Sequence, residues 1–272
     1  MGFIMKRDVL WQDDEERATP LKRDGASLRV LTVNIHKGYS FFNRRFVLHE
    51  LREAVRAVES DLVFLQEVRG GGDPDDRHPG VSQYEYLADT IWRDHAYGRN
   101  AVAPRDSYGN AVLSHFPIVK SRNHRLSHPR IQPQRGVLHC VVNHGEPPAL
   151  HLMCVHLGLL EGDREHQIAA LRDIIDSEVP ADAPLIVAGD FNDWRQRADA
   201  RLANIGLAEV FRQSHGRHAC SFPAMWPFLR LDRISVRNVV SVKPLPMPRH
   251  PWSRLSDHAP LAAEVQLLPE AA

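Results

Sequence analysis

Net charge is the first thing this sequence lacks. Its 34 lysines and arginines are balanced by 34 aspartates and glutamates, so the molecule as a whole projects no field that steers it toward a polyanion, and any attraction for phosphate has to be local. Lysine is scarce: 29 of the 34 cations are arginine, the planar fork suited to phosphate oxygens, although a base-composition bias accounts for the ratio equally well. Cysteine is scarce too. Cys140, Cys154 and Cys220 are odd in number and lack Cys-x-x-Cys spacing, which argues against a cysteine zinc site and against a disulfide framework. The first two sit in apolar runs, where a buried free thiol is ordinary, so a reducing compartment is expected. No apolar run approaches the ~20 residues that span a bilayer. The opening MGFIMKRDVLWQDDEER has no stretch of signal-peptide length, so a soluble cytoplasmic protein is the expectation.

What is present is enough apolar matter for one large core: 43% hydrophobic content over 272 residues. Residues 1–27 are polar, charged and aperiodic and read as an irregular leader; the folded domain is expected over 28–270. Short β-type runs recur at 28–35, 61–68, 110–116, 136–143, 149–157, 184–191, 232–242 and 261–268. Helical periodicity appears at 45–58, where Phe46, Leu51, Val55 and Val58 fall near one face, and at 164–179, with Ile168, Leu171, Ile174 and Ile175. Further helices are expected around 82–94 and 197–204, and a loop at 69–80 lies directly after a strand end, where a site's rim is commonly built.

Polar residues of catalytic type lie at the ends of these runs. Asn34 and His36 close the first, Gln66 and Glu67 the second, His156 the fifth, and Asp190 with Asn192 the sixth; Asp257 and His258 precede the last. Each taken alone is an ordinary turn residue. Brought to one sheet edge together, they have the parts for phosphoester hydrolysis: oxygen ligands for a hard cation, a base for water, and donors for the phosphate. Glu67, an acid at the end of an apolar run, is the leading metal ligand, with Asn34 and Asp257 completing an oxygen-rich Mg²⁺ or Mn²⁺ site. Asp190, after Gly189, is the candidate general base, and Asn192 a donor to phosphate or water. Consecutive side chains in extended chain diverge, so His258 needs a partner other than Asp257; Asp232 is a reasonable one, an acid that fixes the imidazole's tautomer and favours its protonated form. His156 is a second strand-end imidazole.

The series TVNIHKG (32–38), LQEV (65–68), YGNAVLS (108–114), QRG (134–136), VHLG (155–158), GDFND (189–193), LDRI (231–234) and SDHAP (256–260) resembles, in order, the motifs of the endonuclease/exonuclease/phosphatase superfamily. The resemblance spans nearly the whole chain from Leu28 to Leu268. It implies a DNase I-like four-layer α/β sandwich, two mainly antiparallel sheets packed together with helices outside. It also implies Glu67 as principal metal ligand with Asn34 and Asp257 near the metal, Asp190 as base or water-orienting residue, and Asn192 and Asn110 as phosphate-site residues. His156 becomes a phosphate contact or acid and His258, paired with Asp232, the phosphate-binding imidazole. Arg135 fits an Arg-Gly position that is either structural or phosphate-facing. Within the superfamily, NIHKG followed by FNRRF, and VHLGLLEGDREHQ, look most similar to a bacterial branch associated with phospholipid-synthesis operons.

Two stretches bear on the substrate. Between Ser107 and Gly145 there is no acid, while Lys120, Arg122, Arg125, Arg130 and Arg135 are present; the stretch reads as a track for a nucleic-acid backbone or as a solvated loop. Phe222-Pro223-Ala224-Met225-Trp226-Pro227-Phe228-Leu229 precedes Asp232 and reads as core packing or, where exposed, as contacts for acyl chains, bases or a membrane interface. The leading expectation is a metal-dependent phosphodiesterase, with the substrate open between a lipid head group, which leaves room for peripheral membrane contact, and nucleic acid. A DNA or RNA nuclease is the alternative. A catalytically dead phosphoester-binding scaffold would be marked by loss of Glu67, Asp190 or His258, and all three are present.

Overall fold

The computed structural model describes residues 11–12, 27–41, 45–71, 82–88, 92, 94–103, 106–127, 133–145 and 148–268. In chain order the strands are β1 (Trp11–Gln12), β2 (Ser27–Asn34), β3 (Leu62–Arg69), β4 (Asp94–Ala103), β5 (Asp106–Ser114), β6 (Ile118–Arg125), β7 (Gly136–Val142), β8 (Leu150–His156), β9 (Leu185–Asp190), β10 (Ala208–Glu209), β11 (Asp232–Arg237), β12 (Val239–Leu245), β13 (Met247–Pro248) and β14 (Leu261–Leu267). The helices are α1 (Leu48–Ala57), α2 (Gln83–Ala88), α3 (Glu161–Glu178), α4 (Ala198–Ala203) and α5 (Val210–His215). Two six-stranded sheets form, in the orders β10-β11-β9-β8-β7-β6 and β12-β14-β2-β3-β5-β4. Each has a single parallel pair, β8 with β9 and β2 with β3, and is otherwise antiparallel.

Period-2 alternation explains the layering. On β8, Leu150, Leu152 and Cys154 belong to one core and Met153 and Val155 to another; on β2, Leu28 and Val30 face the first core, and Leu31 and Val33 a third. The first core lies between the sheets. In the second, α3 presents Ile168, Leu171 and Ile175 to one sheet's outer face, and in the third α1 presents Leu48, Leu51 and Val55 to the other's. With apolar residues on both faces, the central strands are buried throughout, which is why they read as continuous apolar runs. The expected four-layer α/β sandwich is the fold observed.

The expected helices at 45–58 and 164–179 become α1 and α3, and α2 and α4 fall inside the two further helical stretches. The run at 232–242 is two strands, because the chain turns at Asn238 with φ 55°. β4 and β6 escape the alternation rule: both are sheet-edge strands, and β6 is exposed along most of its length. The basic residues Lys120 and Arg122 therefore sit on an edge strand rather than in a loop, where charge blocks edge-to-edge pairing. In the leader, Trp11–Gln12 pairs in parallel with Met247–Pro248; Arg130 and residues 72–80 of the rim loop lie outside the described residues.

Candidate active site

The parallel pairs bring the site together. Parallel β8 and β9 finish side by side, with His156 opposite Asp190. Antiparallel β11 starts where β9 stops, with Asp232 opposite Asp190. In the facing sheet, β2 stops and its pairing with β3 ends with Asn34 opposite Gln66. Asn34, His156, Asp190 and Asp232 continue the inward-facing alternation of their strands, so they meet between the sheets at one end of the sandwich. There Asn34 Nδ2 donates across the sheets to Asp190 Oδ2 at 3.1 Å, and the Ser256 hydroxyl donates to the Asn34 carbonyl at 2.6 Å, docking the loop that carries Asp257 and His258.

Asp190 is the hub. Its Oδ1 accepts the Asn192 backbone N–H at 2.9 Å, while His156 Nε2 and His258 Nε2 lie 3.5 and 3.8 Å from Oδ2. Burial, reinforced by the neighbouring Asp232, raises its carboxyl to about 7 against the lowering effect of His258 and the two donors; a carboxylate that gains and loses its proton near neutrality suits a general base. The tight approach needs Gly189, whose φ is 144° and where a Cβ would lie 2.0 Å from the Val155 carbonyl oxygen on β8.

The two imidazoles are in opposite states. His258 Nδ1 donates to Asp232 Oδ2 at 2.8 Å; burial disfavours its charge, but Asp232 and Asp190 outweigh burial and raise it to about 10, so it is an imidazolium. His156 is buried beside Arg135, and both burial and that guanidinium hold it well below the ordinary histidine value. Arg135 Nη1 can only donate, so His156 Nδ1 accepts at 3.1 Å and the neutral ring carries its proton on Nε2, toward Asp190. Arg135 thus acts behind His156. Asn110 donates both amide hydrogens to backbone carbonyls, those of Gly136 at 3.0 Å and Cys154 at 2.9 Å, tying its own sheet to the facing one, while its buried Oδ1 is unpartnered. Asn192, with φ 48°, donates from Nδ2 to the Leu157 carbonyl at 3.0 Å.

Glu67 is aimed by a β-bulge. Leu65 pairs with Ala111 and Val68 with Gly109, so Gln66 and Glu67 together oppose Asn110. Gln66 points inward to Thr32 and Cys154, and Glu67 is the inserted residue, at φ 56°. Bulges of this kind re-aim side chains beside active sites. Glu67 Oε2 lies 3.8 Å from Lys37 Nζ, and Asp257 Oδ1 3.7 Å from His36 Nδ1. Glu67, Asp257 and Asn34 Oδ1, which accepts the His36 backbone N–H at 3.0 Å, all neighbour the 36–37 turn, and His36 Nδ1 is buried without a hydrogen-bond partner; carboxylate and amide oxygens are the donors a hard divalent ion takes. Asp190, Asp232 and His258 also converge closely enough to suggest a metal cluster, but an imidazolium has no lone pair to give, and that trio is held together by its proton. His36 was singled out in the sequence only as a polar residue at a strand end, without a role, and Lys37 was missed. Their positive φ values, 46° and 56°, turn the chain over the mouth, and lone His and Lys residues in a turn carry no distinguishing sequence signal.

The model of the Endonuclease/Exonuclease/phosphatase family matches residues 31–258. The Escherichia coli K12 protein YbhP, described as uncharacterized, is 51% identical over 250 residues, covering 89% of this chain and 97% of that one. Among solved structures, an endonuclease/exonuclease/phosphatase from Beutenbergia cavernae superposes with TM-score 0.70 at 21% identity over 89% of this chain and 72% of that one. A humanized zebrafish (D. rerio) TDP2 gives 0.62 at 21% identity over 88% and 99%. With this family match over most of the chain and the site assembled as described, the chain belongs to the endonuclease/exonuclease/phosphatase family and is a phosphoester hydrolase.

Proposed function

We propose that this enzyme is a Mg²⁺-dependent phosphodiesterase whose substrate is a phospholipid-type phosphodiester held at a lipid surface. Glu67, Asn34 and Asp257 would hold Mg²⁺, with Mn²⁺ an alternative, and the ion would supply charge stabilisation for phosphate oxygens or the leaving oxygen. Asp190 takes the proton of the attacking water. Asn34 and the Asn192 backbone N–H hold the Asp190 carboxylate in place. The His258 imidazolium, kept charged by Asp232, faces the equatorial phosphate oxygens as negative charge grows on them, and neutral His156 offers its Nε2–H to the same group. Arg135 fixes that tautomer, and Asn110 holds the floor of the site.

The observation that carries the choice of substrate is the rim. Leu159 and Leu160 follow β8, Trp194 follows Asp190 and Asn192, and Met225, Trp226 and Phe228 precede Asp232; all six are exposed, Trp226 and Leu159 at 70%. They make up most of the exposed large apolar residues of the described chain, and topology puts their three loops on the same end of adjacent strands. The 222–229 segment, whose exposure sequence left open, thus divides: Ala224 is core, and Met225, Trp226 and Phe228 face solvent. Arginine accompanies the rim, Arg195 stacking on Trp194 with its guanidinium 4.6 Å from the ring centroid and Arg249 donating to the Met225 carbonyl. Aromatic and aliphatic tips with arginine between them suit an anionic lipid interface. By contrast, Lys120 and Arg122 of the basic stretch lie on β6, three strands from β9, and only Arg125 and Arg135 of its described members lie at the site end.

The test is Mg²⁺-dependent hydrolysis of anionic phospholipid in vesicles, beside short-chain soluble phosphodiesters and supercoiled plasmid. The reading expects vesicle turnover that is lost in D190N and with EDTA, and reduced about tenfold or more in a W226S/F228S double variant that keeps its rate on the soluble ester, since two aromatic tips bury several kcal/mol of apolar surface. Plasmid nicking without lipid turnover would overturn the lipid reading in favour of a nuclease.

A further inference from the structure

Three neighbouring strands of one sheet each place a histidine on its outer face: His124 on β6, His139 on β7 and His151 on β8. Over them ends α3, with Glu178 as its last residue. His124 Nε2 lies 3.2 Å and His139 Nδ1 3.4 Å from the same oxygen, Glu178 Oε2. All three ligand atoms lie within 4.8 Å of one another. We propose that His124, His139 and Glu178 form a second metal site, separate from the catalytic mouth, for a zinc-type transition ion.

Four details support it. Ligands on a tetrahedral zinc with bonds of ~2.0–2.1 Å stand ~3.3–3.4 Å apart, and the two measured edges bracket that spacing. His124 Nε2 is buried 3.2 Å from the carboxylate without meeting hydrogen-bond geometry. His139 Nε2 and His151 Nδ1 are 3.0 Å apart; a hydrogen bond donated by His139 Nε2–H leaves Nδ1 as a free lone pair, the second-shell arrangement typical of ligating histidines. Arg122 Nη1 donates to the other oxygen, Glu178 Oε1, at 3.0 Å, which orients Oε2 inward. The ligand set, two imidazole nitrogens and one carboxylate oxygen, selects zinc-type ions over Mg²⁺, and the partial exposure of His124 and Glu178 leaves a fourth position to water.

The site is also remote: His151 and His156 point to opposite faces of β8 and lie five residues, or ~16 Å, apart along it. A metal here would staple the edge strand β6 and its neighbour β7 to the end of α3, acting on stability and leaving chemistry alone.

The test is Zn²⁺ binding by metal-free full-length protein in excess Mg²⁺, read by calorimetry and by thermal midpoint. Wild type and E67Q should each bind one tight equivalent and gain in midpoint. H124Q, at a partly exposed edge position, and E178Q should both bind about 100-fold more weakly or worse and lose that gain, with unchanged phosphodiesterase rates in the absence of zinc. Equal zinc binding by wild type, H124Q and E178Q, or loss of the tight equivalent in E67Q, would overturn the proposal.

Discussion

Replacing Asp232 by Asn tests the electrostatic core of the site. The substitution keeps size and shape but removes the negative charge 2.8 Å from His258 Nδ1. His258 is raised to about 10 although burial opposes its charge, so the carboxylates around it more than offset that penalty, Asp232 foremost. An opposite charge at this range is worth ~1–3 pKa units, or about 1.4–4 kcal/mol between the two protonation states. The sign follows directly. A histidine raised above its unfolded value of 6.5 contributes stability that is full below pH ~6.5 and is lost as pH rises through its folded value near 10. D232N should therefore be less stable than wild type by about 1.4–4 kcal/mol at pH 6, with the gap closing toward pH 10. Histidine-selective nitrogen NMR on EDTA-treated protein should show one imidazole protonated to about pH 10 in wild type and titrating ~1–3 units lower in D232N. Turnover at pH 8 should fall by up to about tenfold as the imidazolium is depleted. An unchanged titration of that histidine in D232N, or its titration near 6.5 in wild type, would refute the reasoning.

Other perturbations read other parts of the fold. E67Q should leave the fold intact but weaken Mg²⁺ binding and activity together by about 10-fold or more, measured by metal titration of turnover, because the amide removes a charge from an oxygen-only donor set. G189A should destabilise by about 3 kcal/mol or more in urea denaturation, since a Cβ 2.0 Å from the Val155 oxygen forces β8 and β9 apart. His218, buried with Nδ1 2.9 Å from Glu209 and Nε2 2.5 Å from Asp199, is raised: burial opposes its charge, but Asp199 and Glu209 prevail. H218Q should cost about 3–5 kcal/mol at pH 6, below the ordinary histidine value, and less as pH rises past its folded value; equal losses at both ends would count against a charged His218.

The division between what sequence reveals and what it hides follows burial. β2, β3, β8, β9 and β14 are legible because burial on both faces makes them unbroken apolar runs with polar ends, and those ends hold Asn34, His156 and Asp190. β4 and β6 are hidden because an edge strand needs no alternation: SRNHR at 121–125 is a strand only because β7 pairs with it. The same blindness separated roles within the site. The residue types at Asp232 and His258 implied a pair, and the structure brings them to hydrogen-bond distance. The neutrality of His156 comes first from its burial and then from Arg135, twenty-one positions away on an adjacent strand's approach, and a contact of that kind has no local signal. Asn110 was named as a phosphate-site residue, yet its amide hydrogens are committed to two carbonyls in the facing sheet; with the donors committed, its contribution to any phosphate chemistry is positional.

The arrangement also explains why two imidazoles flank one carboxylate. His156 and His258 approach the same oxygen of Asp190. If both were charged, Asp190 would be pinned as a weakly basic carboxylate; if both were neutral, burial would leave it protonated and unable to accept water's proton. One imidazolium, set by an acid behind His258, and one neutral ring, set by burial and by a guanidinium behind His156, leave Asp190 near 7, where it can take a proton and release it. The residues behind them, Asp232 and Arg135, thus help to set the protonation of Asp190, His156 and His258. R135Q should test this division: with the cation removed, His156 becomes easier to protonate, and the acidic limb of the activity profile should move while that of R135K, which keeps the cation, stays closer to wild type.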